Sequence, residues 1–110
     1  MKNIEKKIIE FSILREIEYN DRIPTPEDYD LDQEDYVSLI KDMVNKQYLN
    51  SERILFNILG EAEIEKEIDL VTEEGNDFIE SNEVWNKIYN SIQDVRKFLR
   101  EVRKWNLKLK

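Results

Sequence analysis

Apolar residues recur every third or fourth position near the start of the chain, at Ile4, Ile8, Phe11, Leu14 and Ile17. The spacing predicts an amphipathic helix over residues 4–19, with Lys6, Lys7, Arg15 and Glu18 mostly on its other face. Asn20-Asp21 ends it, and Pro24 biases Ile23 toward extended backbone. Thr25-Pro26-Glu27-Asp28 is a helix start: a capping hydroxyl, a proline suited to the first helical position, and acids at the positive end of the dipole. This second helix is short, because Asp32 caps a third that opens with Gln33-Glu34-Asp35. Behind that cap Tyr36, Leu39, Ile40, Met43 and Gln47 repeat at helical spacing, closing near Tyr48-Leu49-Asn50.

The pattern then changes. Ile54, Leu55, Phe56, Ile58 and Leu59 form a short apolar run bounded by Ser51-Glu52 and Gly60, which has the length and composition of a strand. A second extended stretch covers roughly 68–71, so the two predict a β-hairpin with a broad tip. Thr72 caps a further helix over 73–81, in which Phe78 and Ile79 turn inward. Gly75 in its first turn costs about 1 kcal/mol against Ala in a helix interior, which points to close packing there. From 83 to 107 a heptad seam runs through Trp85, Ile88, Ile92, Val95, Leu99 and Val102, with Val84, Phe98 and Trp105 beside it. That seam predicts one long terminal helix.

The order is helix, short helix, helix, hairpin, short helix, long helix: a mainly α fold with a small β-hairpin (α+β), arranged as a winged helix-turn-helix with a long C-terminal helix. The expected division is a winged-helix domain at 1–82 and a C-terminal helix at 83–110, packed on the domain and available for dimerisation.

Particular segments resemble the YjcQ-like family of small bacterial and phage proteins. They are Leu14-Arg15-Glu16-Ile17, Pro24-Thr25-Pro26-Glu27-Asp28-Tyr29, the helix from Ile40 to Leu49, Leu70-Val71-Thr72-Glu73-Glu74-Gly75 with Phe78-Ile79-Glu80, and Trp85-Asn86-Lys87-Ile88-Tyr89 with Val95-Arg96. The resemblance spans about residues 4–99. It implies a winged-helix fold, and it supplies no catalytic residues, since members of that family are largely uncharacterised. The chain departs from the family pattern in an acidic hairpin tip and a longer basic C-terminal tail.

Composition narrows the chemistry. A chain of 110 residues fits one domain. It contains neither His nor Cys, which removes imidazole acid–base catalysis, thiol nucleophiles and the usual zinc ligands. The expectation is a protein that is not an enzyme, with no catalytic residue, cofactor or metal. Asp28, Asp30 and Asp32 imitate the opening of a calcium loop, but Gln33 and Leu39 stand where such a loop needs Gly and Glu. No apolar run is long enough to cross a bilayer, and the mixed start of the chain does not read as a signal peptide. The expected location is the cytoplasm, with no membrane partner.

Charge decides between partners. In a winged helix the third helix enters the DNA major groove, yet Asp32 to Tyr48 holds four acids and two bases, and the hairpin tip from Glu61 to Glu67 holds four acids and one base. Affinity for DNA comes largely from cations that displace its counterions, so this surface repels a duplex. Asp32, Glu34, Asp35, Glu61, Glu63 and Glu65 are the candidate interaction residues for a basic or nucleic-acid-binding protein partner. Residues 96–110 are the opposite, with seven bases against Glu101 alone, for a net +6; the remainder carries −14. Arg96, Lys97, Arg100, Arg103 and Lys104 form a candidate basic patch. It reads either as helix C-terminal cations against an acidic body or as a nucleic-acid contact. About 25 helical residues reach ~37 Å, so the terminal helix overhangs its body. Leu99, Val102 and Trp105 are the exposed portion expected to pair two copies as a homodimer. The leading reading is a non-catalytic, phage-derived protein that acts by protein–protein interaction. The alternative is a DNA-binding transcriptional regulator that uses its basic terminal helix or dimer surface.

Overall fold

A computed structural model describes residues 3–50 and 70–108, with side chains described as far as Trp105. Helix α1, Asn3–Asn20, occupies the centre. Every residue from Ile8 to Ile17 is buried, so the helix is covered on all sides rather than along one stripe. A helix enclosed this way must satisfy its polar groups internally. Glu10 accepts both of its hydrogen bonds from Lys46 Nζ at 3.1 Å, Ser12 meets the Tyr29 hydroxyl at 3.0 Å, and Glu16 accepts from Asn20 at 2.6 Å. Arg15, expected on the solvent face, is only 8% exposed.

After α1 a single 3-10 turn, Pro26–Tyr29, forms where Pro26 was expected to open a short helix. Its Asp28 carboxylate accepts from the Thr25 backbone N–H at 2.9 Å, and Asp30 ends it in the left-handed region at φ 55°. Helix α2, Gln33–Asn45, begins as the sequence predicts, with Asp32 accepting from the Asp35 N–H at 2.8 Å. Tyr36, Leu39, Ile40 and Met43 are its buried face. Lys6–Asp42 and Lys46–Glu10 ion pairs join α1 to α2.

The α+β winged-helix expectation is overturned. The described residues form five α-helices and the 3-10 turn, with no strand or sheet among them. Extended pairing is limited to one isolated antiparallel bridge between Leu49 and Val71, flanked by Asn50 N–H to Leu70 O at 2.8 Å and Thr72 N–H to Tyr48 O at 3.1 Å. The apolar run 53–59 expected as the first strand lies outside the described residues, as does the start of the second.

Thr72 caps helix α3, Glu73–Glu80, by accepting from the Gly75 N–H at 3.0 Å. A Cβ at Gly75 would sit 2.5 Å from Tyr48 O and 2.8 Å from Val71 Cγ1, so the glycine is there to let α3 close on the bridge. Helix α4, Glu83–Ile92, and helix α5, Val95–Lys108, replace the single terminal helix. The break is at Gln93, whose backbone is left-handed at φ 52° and ψ 32°. Asp94 then accepts from the Lys97 N–H at 2.9 Å and so starts α5. The heptad seam passes through this break because both helices turn it toward the same core: Val95, Leu99 and Val102 are buried there, and Trp85 and Ile88 pack against it partly buried.

That core is one cluster. Phe11 of α1 contacts Phe78 of α3, Trp85 and Tyr89 of α4, and Phe98 of α5, with ring centroids 5.5–6.4 Å apart. Substitution of Gly75 by Ala tests the α3 closure. Overpacking against backbone costs about 1–3 kcal/mol, read as a lowered urea midpoint at unchanged slope. An unchanged midpoint would show that α3 is not held this close.

Candidate functional site

Helix α5 is amphipathic in charge as well as hydropathy. Val95, Phe98, Leu99 and Val102 are buried against the body, which turns Arg96, Lys97, Arg100, Arg103 and Lys104 to solvent. The basic patch expected from sequence is therefore brought together on one helix face. Some of its charge is already engaged. Arg96 donates to Glu27 O at 2.7 Å and lies 3.5 Å from Asp30, Arg103 grips both oxygens of Glu5, and Lys104 reaches Glu101 at 3.4 Å. Among the described residues the Arg100 and Lys97 side chains pair with nothing. A cleft of about 290 Å³ lies between α5 and the 3-10 turn, lined by Arg96, Arg100, Arg103 and Lys104 on one side and Asp28 and Asp30 on the other.

The expected dimerisation set does not form one exposed seam. Leu99 is 4% exposed and Val102 fully buried within a single chain, because α5 docks on its own body rather than overhanging it there. Trp105 alone of the three is exposed, at 51%.

The expected acidic set is divided. Asp32, Glu34 and Asp35 are exposed around the start of α2. Glu61, Glu63 and Glu65 lie outside the described residues. A second acidic surface was not anticipated. Glu73, Glu74, Asp77 and Glu80 are exposed on α3, and Glu83 continues the line onto α4. None of the five makes an ion pair among the described residues. The spacing of Glu73, Asp77 and Glu80, by four and three, marks one face of α3 and is legible in the sequence. The line ends at a cleft of about 340 Å³ lined by Glu80, Ser81, Asn82, Glu83, Val84 and Trp85. Val84 is 57% exposed there, and Trp85 is half-buried.

The family model described as YjcQ protein matches residues 10–98. The chain belongs to the YjcQ family. No curated protein and no solved structure matches it. The matched residues carry α1 from Glu10 onward, α2 to α4 and the first turn of α5. The acidic line on α3 and α4 therefore falls within the YjcQ region, whereas Arg100, Arg103, Lys104 and Trp105 lie beyond it.

The polar interior of this YjcQ-family chain gathers titratable groups as well. The Arg15 guanidinium is sandwiched between the Tyr19 and Tyr89 rings, at 4.3 and 5.0 Å, and donates to Asn86 Oδ1 at 2.8 Å and Asn90 Oδ1 at 2.5 Å. Asn86 in turn donates to Ile79 O at 2.6 Å, so a single amide joins α1, α3 and α4. The Tyr36 hydroxyl donates to Pro24 O. Tyr89 buries a hydroxyl that has no hydrogen-bond partner among the described residues. Burial pushes the phenols of Tyr29, Tyr36 and Tyr89 well above the ordinary tyrosine range, and the nearby Glu16 carboxylate adds to the shift at Tyr89. Among the described residues no three acids cluster closely enough to hold a metal ion, and no helix is long and apolar enough to cross a membrane.

Those phenols set an alkaline limit. The folded chain keeps their protons past the pH, about 10, at which the unfolded chain loses them. Stability is therefore lost as pH rises above about 10, by up to about 1.4 kcal/mol per pH unit for each phenol. Urea unfolding at pH 9, 10 and 11 should show this slope, and Tyr36→Phe should reduce it. A flat profile from pH 9 to 11 would contradict the burial of the three hydroxyls.

Proposed function

We propose that the protein is a non-catalytic binding module that acts by protein–protein interaction, with an acidic surface that takes a basic partner. The observation that carries this is the acidic line Glu73, Glu74, Asp77, Glu80 and Glu83, without an ion pair among the described residues and ending at a cleft with an exposed aliphatic residue and part of a tryptophan. Surface acids that stabilised the fold would be paired or would cap a helix. Past the first turn of α3, Asp77 and Glu80 do neither among the described residues, whereas Glu83 stands in the first turn of α4. An apolar centre with a charged rim is the anatomy of a protein interface, in which the core gives affinity and the rim gives orientation and encounter rate. The expected partner presents lysines or arginines around an apolar side chain. A nucleic-acid-binding protein fits that chemistry, and the proposed setting is the cytoplasm.

A second reading rests on α5. Among the described residues the Arg100 and Lys97 side chains have no partner, and the exposed Trp105 stands close to them in sequence. Cations with an adjacent aromatic suit a phosphate backbone with unstacked bases.

One comparison separates the two readings. The tagged protein is used to capture partners from a bacterial lysate, with and without nuclease, alongside Glu80→Lys/Glu83→Lys and Lys97→Glu/Arg100→Glu. Among the described residues these four side chains make no hydrogen bond or ion pair, so stability is largely spared. The proposal predicts a partner that survives nuclease, is lost with the α3–α4 substitutions and is retained with those in α5. Capture that depends on nucleic acid and on Lys97 and Arg100 would replace it with the second reading. Retention of every partner by the Glu80→Lys/Glu83→Lys variant would refute it.

A further inference from the structure

Gln93 is the point at which α4 stops and α5 begins, and its local backbone opposes what its surroundings favour. Left-handed backbone suits glycine, and next asparagine and aspartate, whose short side chains bond locally. Asp21 and Asp30 are of that kind; Gln93 is not. Gln47 shares the conformation, but it precedes the extended bridge at Leu49, whereas Gln93 stands between two helices. On both sides the sequence is helical, and the apolar seam Trp85, Ile88, Ile92, Val95, Leu99, Val102 keeps its 3-4-3-4-3 spacing through the turn. The chain is therefore patterned to run as one continuous helix and is bent at a residue poorly suited to the bend.

We infer that two copies of this chain exchange α5: in each, the Gln93-Asp94 turn straightens, α4 and α5 fuse, and α5 docks on α1 of the other copy. The fused helix would run for about 26 residues, or about 39 Å, which carries α5 away from its own core. Among the described residues, the contacts of α5 with α1 and the 3-10 turn do not depend on being within one chain, and the Phe98–Tyr89 contact, at 4.8 Å, re-forms against α4 of the other copy. The Phe98 ring stacks on Phe11 at 5.6 Å, Arg103 grips Glu5, and Arg96 reaches Glu27 O; each forms equally well between copies. Leu99 and Val102 would remain buried in the dimer, so this dimer needs no exposed apolar seam. Straightening removes one left-handed glutamine per chain and loses only the Asp94 cap. Exchange of an identical element is a low-cost route to a dimer, and short strained hinges invite it. The basic cleft then becomes composite, with Asp28 and Asp30 supplied by one copy and Arg96 and Arg100 by the other.

The hinge residue sets the equilibrium. Gln93→Gly relieves the bend and weakens the fused helix, so it shifts the chain toward monomer. Gln93→Ala keeps the strain and favours the helix, so it shifts the chain toward dimer. The two variants should differ at least tenfold in dimer dissociation constant by sedimentation. Because the chain has no cysteine, Glu5→Cys with Arg103→Cys in the Gln93→Ala background gives a clean topological test with a short bismaleimide cross-linker. Exchange predicts covalently linked pairs of chains from the dimer fraction on a denaturing gel. Cross-links confined to single chains in that fraction, or no dimer from the Gln93→Ala variant at any concentration, would overturn the proposal.

Discussion

The Phe11 ring is the contact on which the rest of the structure depends. It touches aromatic side chains from α3, α4 and α5 at once, and it sits on the one helix that every other element covers. Loss of a buried phenylalanine to alanine costs about 3–5 kcal/mol, a large part of the 5–15 kcal/mol by which domains are usually stable. Here that loss would loosen three packing surfaces together. Enclosing α1 also brings Glu10, Ser12, Arg15 and Glu16 inside. Each forces a partner onto a neighbouring segment: Lys46 for Glu10, Tyr29 for Ser12, Asn86 with Asn90 for Arg15, and Arg22, just past the end of α1, for Glu16. The polar interior is therefore a set of specific links between elements, formed because unpaired burial is costly.

The same constraint produces the charged exterior. Once Val95, Phe98, Leu99 and Val102 are committed to α1, the spacing of α5 leaves its cations only the solvent side. Once Gly75 and Ile79 are committed to the core, α3 presents its acids outward. The molecule thus carries an acidic helix line within the YjcQ region and a basic helix face largely beyond it. Two surfaces of opposite sign on one small body explain how a chain of net charge −8 can offer distinct binding chemistry at each.

Features set by neighbours in sequence were legible from it. The Asp32 and Thr72 caps, the Pro26 turn, the buried stripe of α2 and the close approach at Gly75 all follow from residue type and short spacing. Features set by neighbours in space were not. The seam from Trp85 to Val102 is equally consistent with one helix and with two helices facing a common core, so periodicity could not locate the break at Gln93. Arg15 looked solvent-facing because its partners, Asn86 and Asn90, lie more than seventy residues away. Val71 is extended as its segment suggests, but it pairs with Leu49, which reads in sequence as the end of a helix; among the described residues the pairing stops at that one bridge, and the winged-helix reading depended on more. The basic patch was found because charge asymmetry survives any folding of α5. The α3 acids were missed because a capped helix start already accounts for the first two of them.

Native-state hydrogen exchange across the whole chain tests the central role of α1 most directly. Amides from Ile8 to Ile17 should be the slowest to exchange and open only with global unfolding, because α3, α4 and α5 all pack on Phe11 at the middle of that stretch. Exchange of α1 through smaller openings, with α2 or α4 more protected, would contradict that central role.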